Sequence, residues 1–236
     1  MVLPPTIILD LDDTILDDST SVEPAWIDAC SLACECLQGV SPETLLTLIH
    51  DYRDWYWSDP ARHKAGRADL RAAGAVIVAE ALKRCGVDNP ALARRAAGRY
   101  RDLREAAIEP FPGAVESLAA LRQRGVRLGL ITNGAAAVQR AKINRFDLAR
   151  YFDAVLIEGE FGAGKPEHLV YLELARCLET KPQDSWIVGD NLEWEVAVPA
   201  TLGFYTVWVD THARGLPRNT DTKPHRIIQS LPDLLR

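Results

Sequence analysis

Thr6-Ile7-Ile8-Leu9 is a short apolar run that stops at Asp10, the pattern of a buried parallel strand that delivers side chains at its C-terminal end. From about Ser21 to Glu109 the pattern changes to helix after helix, with Ser21, Ser41 and Asn89 as caps and Pro42 and Pro90 in first-turn positions. No strand pattern interrupts this stretch. Phe111-Pro112-Gly113 then marks a turn, followed by a helix near 114–124 that Gly125 stops and a strand over Val126–Ile131. Further strands are predicted at Ala154–Ile157, Trp186–Val188, Phe204–Val209 and Arg226–Ile228. Strands that alternate with helices predict an α/β fold, a parallel sheet covered on both faces.

The economical organisation is discontinuous. Residues 1–16 and 109–236 form an α/β core, and residues 17–108 form an all-helical insertion, expected as a cap over the sheet edge where Asp10 emerges. Composition fits a soluble globular chain: 236 residues, 47% hydrophobic and 25% charged. The net charge of −6 leaves no general basic field for nucleic acid or an anionic membrane, so an anionic substrate requires local positive charge or a metal. Apolar stretches fall far short of the roughly 20 residues of a membrane span, and a cytoplasmic location is the default expectation. Cys30, Cys34, Cys36, Cys85 and Cys177 are odd in number and scattered, which suits reduced thiols; the first three lack the second Cys or His pair of a zinc site.

Four polar elements carry candidate chemistry. In Asp10-Leu11-Asp12-Asp13-Thr14, strand alternation places Asp10 and Asp12 on one side, and two carboxylates at one strand end invite a divalent cation or a shared proton. Ile131-Thr132-Asn133-Gly134 ends a second apolar strand directly before a helix, where the Thr132 hydroxyl and the amides of Asn133 and Gly134 suit an anion. Gly164-Lys165-Pro166-Glu167 offers a lysine fixed by a proline that opens a helix, although most such lysines are solvated surface. Val188-Gly189-Asp190-Asn191 ends another strand in an acid, and Asp190 adds an oxygen ligand for Mg²⁺ beside Asp10 and Asp12.

This ordered set resembles the haloacid dehalogenase superfamily, phosphatase type with an inserted helical cap, and the resemblance covers nearly the whole chain. It implies a Rossmann-like, doubly wound core, Mg²⁺ as cofactor, a small phosphorylated metabolite as substrate and an aspartyl-phosphate intermediate. By position, Asp10 resembles the nucleophile and Asp12 the general acid/base. Thr132 resembles the phosphoryl-binding residue and Lys165 the cation that steadies both Asp10 and the phosphoryl charge. Asp10, the Asp12 carbonyl and Asp190 would ligate Mg²⁺, with Thr14, Asn191 and Glu195 in support. Glu195 stands where such phosphatases often carry aspartate, and either acts through water or bonds Lys165.

Rival readings are a phosphomutase, a 2-haloacid dehalogenase on the same fold, which needs no acid at Asp12, and a non-catalytic phospho-ligand-binding module. Specificity is expected between residues 17 and 108. The aromatic and basic stretch from Asp51 to Arg67 offers Trp55, His63 and Arg67 as contacts to the leaving group, against the plainer reading of helix packing with solvated cations. The chain is expected to act as a monomer or homodimer, without nucleic-acid or membrane partners.

Overall fold

The computed structural model describes residues 3–218 and 220–236. The chain divides into two compact units, one of Met1–Asp17 with Glu109–Arg236 and one of Asp18–Ile108.

With elements numbered along the whole chain, the first unit holds strands β1 (Thr6–Leu9), β2 (Leu16–Asp17), β3 (Glu109–Pro110), β4 (Arg127–Thr132), β5 (Ala154–Ile157), β6 (Ser185–Gly189), β7 (Tyr205–Val209) and β8 (Arg226–Ile228). Six of them form one sheet of order β5-β4-β1-β6-β7-β8 with every pairing parallel, while β2 and β3 pair antiparallel where the chain leaves this unit and returns to it. All four residues of β1 are buried, as a central strand with apolar neighbours on both edges requires. Ile8, Ile131 and Ile187 from three adjacent strands share a core with Val170, Tyr171 and Leu174 of a covering helix. Each such aliphatic side chain contributes about 1.5–3 kcal/mol on burial. The strand order reverses around β1, so the C-terminal ends of β4, β1 and β6 flank the point where open α/β sheets place their ligands.

The second unit is helical: α1 (Val22–Cys34), α2 (Pro42–Ser58), α3 (Pro60–Ala68), α4 (Leu70–Arg84) and α5 (Pro90–Ala107). Ser41 accepts from the Thr44 amide and Asn89 from the Leu92 amide, and Pro42 and Pro90 open their helices. Ser21 precedes α1 but makes no side-chain cap bond. Trp26, Leu45, Ile49, Ile77, Val78 and Leu82 fill the core, and Trp26 stacks on Tyr100 with centroids 3.7 Å apart. Cys30 is buried there, and burial pushes its thiol up to about 12. The sheet unit's helices are α6 (Ala114–Gln123), α7 (Ala136–Arg145), α8 (Glu158–Phe161), α9 (His168–Cys177) and α10 (Val198–Thr201), the last preceded by a π-helical turn at Leu192–Ala197. No described helix is long and apolar enough to cross a membrane.

Candidate active site at the strand ends

The register places Leu9 opposite both Leu130 and Val188, so Asp10 follows level with the ends of β4 and β6. Its amide donates to the Val188 carbonyl at 2.9 Å. The chain then turns tightly: Asp13 takes a φ of 58°, in the left-handed region that Asp tolerates better than most residues, and Ile15 and Leu16 donate back to the Leu11 carbonyl. Asp10, Asp12, Thr132, Asn133, Lys165, Asp190, Asn191 and Glu195 converge with Asp13 and Trp194 on one cavity of about 170 Å³. That is smaller than the roughly 300–1,000 Å³ pockets that enclose whole metabolite-sized ligands, and suits a phosphoryl-sized group.

Lys165 is the electrostatic centre. It is 2% exposed, and its Nζ lies 2.5 Å from Asp10 Oδ1 and 2.7 Å from Glu195 Oε1. Burial alone would depress the ammonium, yet the Asp10 and Glu195 carboxylates hold it above its usual value. Glu195 is fully buried and also accepts from the Asn191 amide at 2.9 Å; burial, opposed by Lys165, lifts it to about 7. The Asn191 side chain caps the π-helical turn through the amides of Glu193 and Trp194. Asp10 is raised by burial against the pull of Lys165, and Asp190 is raised to about 9 by burial and the neighbouring carboxylates, Asp10 first.

Residues 4–200 match the haloacid dehalogenase-like hydrolases. The chain belongs to this family of enzymes. Among similar proteins, this hydrolase is 30% identical to a glyceraldehyde 3-phosphate phosphatase of Methanopyrus kandleri, covering 97% of this chain and 94% of that one. It is 25% identical to an N-acylneuraminate-9-phosphatase of Rattus norvegicus, over 97% of this chain and 91% of that one. In fold it superimposes on the 2-haloacid dehalogenase of Pseudomonas syringae with a TM-score of 0.63 at 25% identity, covering 99% and 98% of the two chains.

The charge balance of this hydrolase fits a divalent cation. Asp10, Asp13, Asp190 and Glu195 line a cavity that holds a single ammonium, Lys165, so when ionised they leave an excess of negative charge there. Among the described residues no three His, Cys, Asp or Glu side chains form a ready cage. Mg²⁺ does not need one, because it binds through one or two carboxylates and keeps water and substrate oxygens. Asp10 and Asp190 offer two such carboxylates to the cavity.

Several expectations change in detail. β1 stops at Leu9 and Leu11 is buried, so Asp12 reaches the cavity from the turn, bridged to Leu16, rather than by strand alternation. The Gly134 amide does not face an anion site: it donates to Glu158 Oε2 at 2.9 Å, and α7 opens only at Ala136. Asn133 uses its side chain on the other loop, donating to the Lys165 carbonyl at 2.7 Å and accepting the Lys165 amide at 2.8 Å. Pro166 does not open a helix, since α9 begins at His168. Thr14 is buried and does not line the cavity.

Trp55, His63 and Arg67 lie in the helical unit and are not among the residues lining this cavity. Arg67 donates to His63 Nδ1 at 2.8 Å, His63 meets the Trp57 ring edge-on at 5.2 Å, and the neighbouring Arg62 lies 3.9 Å over Trp55 while donating to main-chain carbonyls of Trp55 and Tyr56. Gln139, Lys142 and Glu158 were not legible as site residues. Their only signal is the three-residue spacing of Gln139 and Lys142, which puts both on one face of α7 just after Thr132.

Gly189 has a steric role beneath the site. A Cβ there would lie 2.2 Å from Glu195 Cγ and 3.1 Å from Asp10 Cβ. Gly189→Ala is expected to lower stability by about 1–3 kcal/mol through overpacking and to displace Glu195 from Lys165. Thermal unfolding reads the first effect; an unchanged midpoint would show that the carboxylate has room to yield.

Proposed function

We propose that this hydrolase is a Mg²⁺-dependent phosphatase that releases phosphate from a small phosphorylated metabolite through an aspartyl-phosphate on Asp10. The observation that carries this reading is a pair of carboxylates at one strand end in separate electrostatic settings. Asp10 rests on Lys165, whereas Asp12 rests on Lys142 at 2.7 Å and Gln139 at 2.8 Å. Two acids with different partners are suited to two roles, nucleophile and proton carrier.

In this scheme Asp10 attacks phosphorus, and the bond to the leaving oxygen breaks as Asp12 gives that oxygen a proton. Asp12 then takes a proton from the water that hydrolyses the Asp10 phosphate. Lys165 holds Asp10 and offsets phosphoryl charge from a fixed position, and Thr132 binds a phosphoryl oxygen. When bound by Asp10, the Asp12 carbonyl and Asp190, Mg²⁺ supplies further neutralisation of the phosphoryl oxygens. The similarity to phosphatases supports this reading. The dehalogenase alternative does not need an acid at Asp12, because a halide leaves carbon without a proton.

Metal and protons compete here, which gives a test that needs no substrate. Asp190 and Glu195 are raised from the ordinary carboxylate range to about 9 and about 7. The metal-free fold therefore keeps protons that the unfolded chain has already lost, and its stability falls as pH rises through that window. Mg²⁺ is expected to raise the unfolding free energy little near about pH 5 and most near about pH 8–9, by about 2.7 kcal/mol at a hundredfold excess over Kd. A Mg²⁺ effect that is absent, or equal at both pH values, would count against the metal site. Phosphate release from a panel of phosphorylated metabolites tests the activity, and halide release from 2-haloacids without phosphate release would select the rival.

A further inference from the structure

We infer that Gln139 and Lys142 on α7 are positioning residues for proton transfer, tying the Asp12 carboxylate to the Thr132 hydroxyl; the inference rests on the phosphatase reading above and deepens it. Both side chains are long and polar, yet Gln139 is 2% and Lys142 7% exposed, and with Ile143 they form the buried face of α7. Long polar side chains are rarely held this deeply without specific partners. Here each partner belongs to the candidate chemistry.

The atoms fix the arrangement. Gln139 Nε2 lies 2.8 Å from Asp12 Oδ2 and 2.6 Å from Thr132 Oγ1. A carboxylate only accepts, so the amide nitrogen, not its oxygen, must face Asp12. That nitrogen has two hydrogens, and the two contacts use both. Thr132 Oγ1 is then an acceptor toward Gln139, which leaves its single hydroxyl hydrogen to donate elsewhere. Thr132 lines the cavity, where a phosphoryl oxygen is the acceptor that the proposed reaction supplies. Lys142 Nζ meanwhile donates to Asp12 Oδ1 at 2.7 Å, so both Asp12 oxygens are held from α7.

The consequence is a division of labour between two lysines from different elements. Lys165 serves the nucleophile, and Lys142 serves the proton carrier. When Asp12 has given its proton to the leaving oxygen, the resulting anion is the species that Gln139 and Lys142 hold, oriented for the water that attacks next. This help matters in proportion to how much the leaving oxygen needs a proton. An aryl ester with a good leaving group departs almost without one, and an alkyl ester does not.

The test compares first-turnover rates of the Mg²⁺-loaded enzyme on p-nitrophenyl phosphate and on a simple alkyl phosphate. For Lys142→Met and Gln139→Leu, the alkyl ester is expected to slow by about 10²-fold and the aryl ester at least tenfold less, followed on the aryl ester by slow turnover as the phosphoenzyme waits for its base. Lys142→Arg, which keeps a donor on Asp12 and guards against a fold lost in Lys142→Met, should restore part of the alkyl rate. Equal losses on both esters, or no loss on either, would overturn the assignment. If the wild-type enzyme releases phosphate from no monoester, the phosphatase reading itself fails, which is a different result from a missing leaving-group effect.

Discussion

Asp10→Asn is expected to reduce phosphate release by about 10⁴-fold or more while leaving the fold in place. An amide cannot attack phosphorus, and the catalytic loss from removing a nucleophile is of that order or larger. The substitution preserves volume at the end of β1 and leaves Lys165 its second partner, Glu195. Steady-state assays on the best monoester, alongside thermal unfolding, check both halves. Activity within tenfold of wild type would remove Asp10 from the mechanism, whatever the rest of the site does.

The largest structural effect is expected at Lys165. Lys165→Met removes the ammonium that lies between two carboxylates, Asp10 and Glu195, both held almost without solvent. A buried charge stripped of its partner costs about 3–5 kcal/mol. The variant should unfold at lower temperature, and more so at higher pH, where the two acids can no longer neutralise themselves by taking protons. Pairing it with Glu195→Gln should recover much of the stability and none of the activity. If Lys165→Met is as stable as wild type in chemical denaturation, the ion triad is not holding the site together.

The strands of the main sheet were legible because their signal is local. β5 and β8 lie at Ala154–Ile157 and Arg226–Ile228 as their apolar runs predict, and β4 and β6 differ from expectation by one residue at each end. The strand-end acids were legible for the same reason. What failed depended on partners distant in sequence. Gly134 looks like an anion binder until Glu158, 24 residues away, takes its amide. Gln139 and Lys142 were not singled out, because nothing local reveals that their partner is Asp12, 127 and 130 residues away. Lys165 shows the same limit from the other side: a lysine of a kind that is ordinarily on the surface is buried here against two carboxylates, Asp10 at the end of β1 and Glu195 in the π-helical turn.

The position of β1 between β4 and β6 also sets an order of events during synthesis. β1 emerges first, but its neighbours in register, Leu128 for Ile7 on one edge and Trp186 on the other, are made only after the whole helical unit. Until then Ile7, Ile8 and Leu9 present two unpaired apolar edges, the kind that recruit other chains. The helical unit, which has a core of its own, is complete before either neighbour of β1 is made. Asp10 thus follows a strand that precedes the helical unit in the chain but gains both of its neighbours only after it, so the candidate site cannot assemble until β4 and β6 have been made.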